Sequence, residues 1–176
     1  MPNHHSVFFV PSSHTPGGRK TRLTRARAGL LSMAIAIFSL TTYASQATEL
    51  DAFNSAIRAK YDMKEAAFAA NDPEPILTRF YHPDVISTGP DGSTHVGRDE
   101  IRPIYEEVIS GDVRIESYSS FVRGDAGWDW VNFHVTPAAG SGEAPFTFKM
   151  LFLWEREDGE WWSHGEMYVM GEFPIK

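Results

Sequence analysis

The chain contains no cysteine in 176 residues. Disulfides are therefore excluded, and no thiolate can join histidine in a zinc site. Glycine-rich phosphate loops and the G-x-S-x-G turn of a nucleophile elbow are likewise missing. No internal repeat, low-complexity tract or linker interrupts the chain after Ala47, so a single domain is expected there. The apolar run AGLLSMAIAIFSL at 28–40 has thirteen residues. A bilayer-spanning helix needs roughly 20.

What surrounds that run gives it a different meaning. Five basic residues (Arg19, Lys20, Arg22, Arg25, Arg27) precede it, and the small-residue stretch TTYASQA follows. This is the layout of a secretory signal peptide, with Ser45 and Ala47 flanking a cut after Ala47. The first 18 residues form an unusually long leader, which points to a start site placed too far upstream. The expectation is a leader and signal peptide at 1–47 and an exported, periplasmic or secreted domain at 48–176. Removing 1–47 leaves 11 Lys and Arg, five fewer than in the whole chain, against 23 Asp and Glu, a net charge of −12. So acidic a domain repels a phosphate backbone, and nucleic acid is excluded as a partner.

The mature region opens with a helical pattern at 49–70. Leu50, Phe53, Ile57, Tyr61 and Phe68 mark one stripe, with Lys64 filling the missing apolar step. A short helix is predicted at 75–80, with Asp72 as N-cap and Pro73 in its first turn, and a third helix at 99–110. The remainder reads as strands at 85–88, 113–123, 128–136, 145–156 and 161–171. Helices first and strands last predict an α+β domain, helices on one face of an antiparallel sheet.

Asp158-Gly159 is a strong hairpin signal between the last two strands. A two-residue loop pairs Glu157 with Glu160, and continued regularly it pairs Trp154 with Ser163, Phe152 with Gly165, Met150 with Met167 and Phe148 with Val169. That face is large against small, as a core requires. The opposite face, with Lys149, Leu151, Leu153, His164, Glu166 and Tyr168, is amphipathic. A slip of one residue exchanges the faces and brings His164 and Glu166 into the pocket. In the strand GWDWVNFHV, Val131, Phe133 and Val135 are expected inside. Trp128, Trp130, Asn132 and His134 then lie outside, where the tryptophans beside Trp162 suggest a homodimer through the sheet.

Three phrases, FYHPDVISTGPDGSTHVGRDEI, GDAGWDWVNFHV and WEREDGEWWSHGEMY, give the chain a resemblance to the NTF2-like superfamily, which includes ketosteroid isomerases and SnoaL-like cyclases. The resemblance implies a cone: helices on the concave face of a curved sheet, an apolar pocket between them, and frequent pairing of cones through their sheets. It also locates the isomerase machinery. The catalytic carboxylate's position corresponds to Gly89, before Pro90, and the helix-one tyrosine's to Glu65, with Tyr61 a turn earlier. That pair is therefore displaced or missing here.

Asp129, if inward, stands alone among apolar side chains that disfavour its charged form, the environment of a general acid or base. The ligand-binding wall is expected to hold Tyr61, Phe133, Phe148, Phe152, Trp154 and Met167. The four histidines beyond residue 47 (His82, His95, His134, His164) show no helical i, i+4 pair, so no metal site is expected, and no cofactor motif is present. The function expected is binding of a small apolar or aromatic molecule without turnover. The alternatives are an isomerase, cyclase or hydratase using a pocket carboxylate, and a protein-partner module acting through the tryptophan face. No membrane association is expected once the signal is removed.

Overall fold

The structure, a computed structural model, describes the backbone of residues 28–174 and the side chains of residues 46–174. The chain divides into two compact units, 1–40 and 41–176. The signal-peptide expectation rests on side chains outside the described residues. No helix among the described residues is long and apolar enough to cross a membrane.

Helix α1 (Ala28–Ala69) carries the expected stripe. Phe53, Ile57, Tyr61, Lys64 and Phe68 are all buried, so the lysine occupies a core position as fully as its apolar neighbours. Asn71 ends the helix in the left-handed region at φ 52. A π-helical turn (Ile76–Phe80) replaces the predicted short α-helix and buries Ile76, Leu77 and Phe80. Asp72 Oδ1 accepts the Glu74 N–H at 3.0 Å at its entry. Helix α2 (Arg98–Val108) presents Ile101 and Tyr105 inward.

Six strands follow the order β2-β1-β6-β5-β4-β3. They are β1 (Tyr81–Thr88), β2 (Thr94–Val96), β3 (Asp112–Arg123), β4 (Ala126–Thr136), β5 (Phe146–Glu157) and β6 (Glu160–Met170). All neighbouring pairs are antiparallel except β1 with β6, which run parallel. The helices lie on one face of this curved sheet, an α+β cone, and β4 turns Asp129, Val131 and Phe133 into the core as the alternation requires.

The closing hairpin departs from its predicted register. The turn is as expected: Asp158 (φ 51) and Gly159 (φ 84) form a two-residue loop, and Glu157 pairs with Glu160 through to Trp154 with Ser163. His164 is then an extra residue on β6, so Leu153 pairs with Gly165 and Phe152 with Glu166. Met150 faces Tyr168 and Phe148 faces Met170, in place of the predicted Met167 and Val169. The reason lies on the neighbouring strand. Pro83, which cannot donate to a ladder, interrupts β1 where its pairing slips between Tyr81–Ser163 and Ile86–Gly165. One bulge therefore moves Glu166 from the outer to the inner face and Met167 from the inner to the outer.

Candidate functional site

Between α2, the end of α1 and the sheet lies a cavity of about 480 Å³. Its walls include Phe68, Ile101, Tyr105, Phe133, Phe148 and Met150, together with the exposed residues Glu107, Ser110 and Glu143. Apolar side chains dominate, and polarity is concentrated where Ser87, Tyr105, Glu166 and Tyr168 meet the cavity.

Behind that polar wall is a buried network. Glu166, 7 % exposed, accepts the Ser87 hydroxyl on Oε1 at 2.7 Å and the Tyr81 hydroxyl on Oε2 at 2.5 Å. Tyr81 has one proton, and giving it to Glu166 leaves its oxygen to accept from Lys64 Nζ at 2.7 Å and from the Tyr105 hydroxyl at 2.5 Å. Lys64 also sits among the rings of Phe80, Tyr81, Tyr105, Phe152 and Phe133, its Nζ 4.3 to 5.4 Å from their centroids. Ring faces offset part of the cost of desolvating an ammonium.

Burial pulls the Lys64 pKa down to about 8, against the pull of the Glu166 charge. Burial, and then the Glu166 charge, raise both Tyr81 and Tyr105 well above the ordinary phenol value. At neutral pH the tyrosines are thus protonated donors and the lysine is mostly cationic. A buried charge pair of this kind contributes little net stability after desolvation, so stability alone does not account for it.

The predicted site residues divide into three groups. Phe133 and Phe148 line the cavity. Tyr61, Phe152 and Trp154 are core residues packed on one another, with Tyr61 5.6 Å from Phe152 and 5.9 Å from Trp154 between centroids, and none of the three lines the cavity. Met167 is 51 % exposed on the outer face, which corrects its assignment to the ligand wall and follows from the bulge. Asp129 does point inward and is fully buried; burial raises its pKa to about 6. Its Oδ2 accepts from Ser117 at 2.6 Å and Tyr61 at 3.1 Å, and Oδ1 has no hydrogen-bond partner. It is a core carboxyl, away from the cavity lining.

Glu65, at the position of the isomerases' tyrosine, binds the Ile115 N–H and Arg58 instead, tying α1 to β3. A side chain at Gly89 would begin 3.0 Å from Ser93 Oγ, 3.1 Å from Asp91 Oδ1 and 3.3 Å from the hydroxyl of the cavity-wall residue Tyr168. The titratable groups gathered at and behind the cavity wall come from other positions: Lys64, Tyr81, Tyr105 and Glu166. Of these, sequence reasoning weighed only Glu166, on the wrong face; the lysine inside an apolar stripe was the unused signal. On the opposite side of the sheet, His82, His164 and Glu157 converge.

Residues 62–164 match the model of the SnoaL-like domain. The chain belongs to the SnoaL-like family. No curated protein matches it. Among solved structures, this SnoaL-like chain is similar to a ketosteroid isomerase-like protein from Erwinia carotovora atroseptica, with 21 % identity, 67 % of this chain and 95 % of that one covered, and a TM-score of 0.56. It is similar to an NTF2-like protein from Cytophaga hutchinsonii at 20 % identity, covering 67 % and 98 %, with a TM-score of 0.54. A function-unknown protein from Mycobacterium tuberculosis gives 18 % identity, 72 % and 76 % coverage and a TM-score of 0.63. At these identities the likeness speaks for the fold.

Proposed function

We propose that this SnoaL-like domain binds a small, largely apolar molecule in its cavity and moves a proton on it, as an isomerase, cyclase or hydratase does. The observation that carries this is the buried Lys64–Tyr81–Glu166 chain ending at the cavity wall. In this reading Glu166 is the general base. Ser87 and Tyr81 fix its orientation while leaving lone pairs for the substrate, since a carboxylate has about four acceptor sites. The Tyr168 hydroxyl stands at the same wall, where a developing oxyanion needs a donor, while the Tyr105 proton is held by Tyr81. Lys64 places a positive charge one hydroxyl away, through Tyr81.

The test is hydrogen–deuterium exchange at carbons next to the carbonyl in a panel of small cyclic and aromatic ketones, with the parent and Glu166→Gln compared. Loss of a positioned base reduces rates by about 10²–10⁴, so enzyme-dependent exchange that the variant loses is expected. Ligand retained in native mass spectrometry together with no exchange in either protein would favour binding without turnover.

Export and pairing of two copies through the outer face of the sheet belong to the same proposal. The leader pattern supports export. Exposed apolar side chains on the outer face, including Phe121, Leu153, Met167 and Val169, support pairing.

A further inference from the structure

We infer that His82, Glu157 and His164 form a binding site for a divalent transition-metal ion of the zinc type. The three side chains come from separate places: His82 from β1, Glu157 from the end of β5, and His164 from the bulge of β6. The parallel pairing of Tyr81 with Ser163 sets the two histidines side by side, although they are far apart in sequence.

One ligand atom from each lies within 4.8 Å of the others. His164 Nε2 is 3.0 Å from Glu157 Oε1, and His82 Nε2 is 3.5 Å from Oε2 of the same carboxylate. Zinc bonds of about 2.0–2.1 Å give a tetrahedron with edges of about 3.3–3.4 Å, so the two nitrogen–oxygen separations bracket what an ion needs. His164 Nε2 is also buried, and although Glu157 Oε1 lies 3.0 Å away the two do not align as a hydrogen bond. An ion between them would engage both. Two imidazoles and a carboxylate are the donor set of borderline metals, with magnesium and calcium disfavoured, and the fourth position would be left to water.

Two adjustments accompany binding. The rings are stacked at 3.9 Å with 15° between planes, so they tilt toward each other to share one ion. Asp84 N–H donates to His82 Nδ1 at 3.2 Å; ligation through Nε2 moves the ring proton to Nδ1 and gives up that long contact. Affinity is accordingly moderate. The consequence reaches across the sheet, because the ion would clamp the strands that carry Tyr81 and Glu166 to the inner face.

The experiment measures Zn²⁺ binding by isothermal titration to chelator-stripped full-length protein. The parent is compared with His82→Gln, Glu157→Gln and His134→Gln, with circular dichroism as the folding check. His4, His5 and His14 are common to all four proteins, so differences read this site alone. Losing a direct ligand should weaken one Zn²⁺ by at least about tenfold, since even outer partners of metal ligands contribute about 10–100-fold. His134→Gln should match the parent. Equal isotherms for the parent, His82→Gln and Glu157→Gln would overturn the inference. If a variant fails to fold, histidine imidazole NMR of the parent decides. Zn²⁺ shifting the His82 and His164 signals supports the site, and Zn²⁺ shifting other histidines alone overturns it.

Discussion

Asp129 and Glu166 are both buried carboxyls on the inner face, and their partners separate their roles. Asp129 meets only core hydroxyls and has an unpartnered oxygen, whereas Glu166 has both oxygens engaged, a lysine one hydroxyl away, and the cavity in front. The folded pKa of Asp129, about 6, lies above its ordinary 3.8. The folded state therefore holds its proton longer than the unfolded chain, and this contribution to stability is full below about pH 4 and is lost as pH rises through 6. A shift of about 2 units corresponds to roughly 3 kcal/mol. Asp129→Asn should be more stable than the parent at pH 7 by up to that amount and show no advantage at pH 4, measured by urea unfolding at both pH values. Lys64 gives a second prediction. With its pKa near 8, the parent's pH–rate profile should inflect there, and the profile of Lys64→Met should lack that inflection while the protein still folds, because methionine suits an aromatic cage.

At the scale of elements, the long helix, α2 and the β5–β6 turn follow directly from periodicity and the Asp158-Gly159 pair. Alternation placed Val131 and Phe133 inside correctly. What periodicity does not carry is an inserted residue. The regular pairing holds for the four pairs next to the turn and fails at His164, where Pro83 on the adjoining strand denies β6 a regular partner. That long-range cause reassigned Glu166 and Met167. The parallel β1–β6 pairing and the short β2 were also beyond local pattern, since both depend on which strands meet. The turn itself is testable: Gly159 sits at φ 84, and an alanine there costs about 1 kcal/mol, read as a lower urea midpoint with an unchanged slope.

For the whole molecule, helices before strands argued the α+β class, and the SnoaL-like match over 62–164 agrees with it. The outer face combines exposed Leu153, Met167 and Val169 with aromatics partly covered by the chain's own end. Phe173 stacks on Tyr118 at 4.5 Å, meets Trp130 at 5.6 Å, and exchanges two hydrogen bonds with Asn132. The open part of the face is thus centred on β5 and β6. If the proposed pairing holds, the parent should sediment as a dimer and Leu153→Glu as a folded monomer; a monomeric parent, or a dimer unchanged by the substitution, would reject pairing through this face.

In the proposed function Glu166 is the base facing the cavity, and Asp129 is a core residue. Exchange rates on one accepted ketone, with Glu166→Gln and Asp129→Asn compared side by side, test it most directly. Glu166→Gln should lose at least about 10²-fold, and Asp129→Asn should keep a rate close to the parent's. Full activity in Glu166→Gln, or a comparable loss in Asp129→Asn alone, would contradict it.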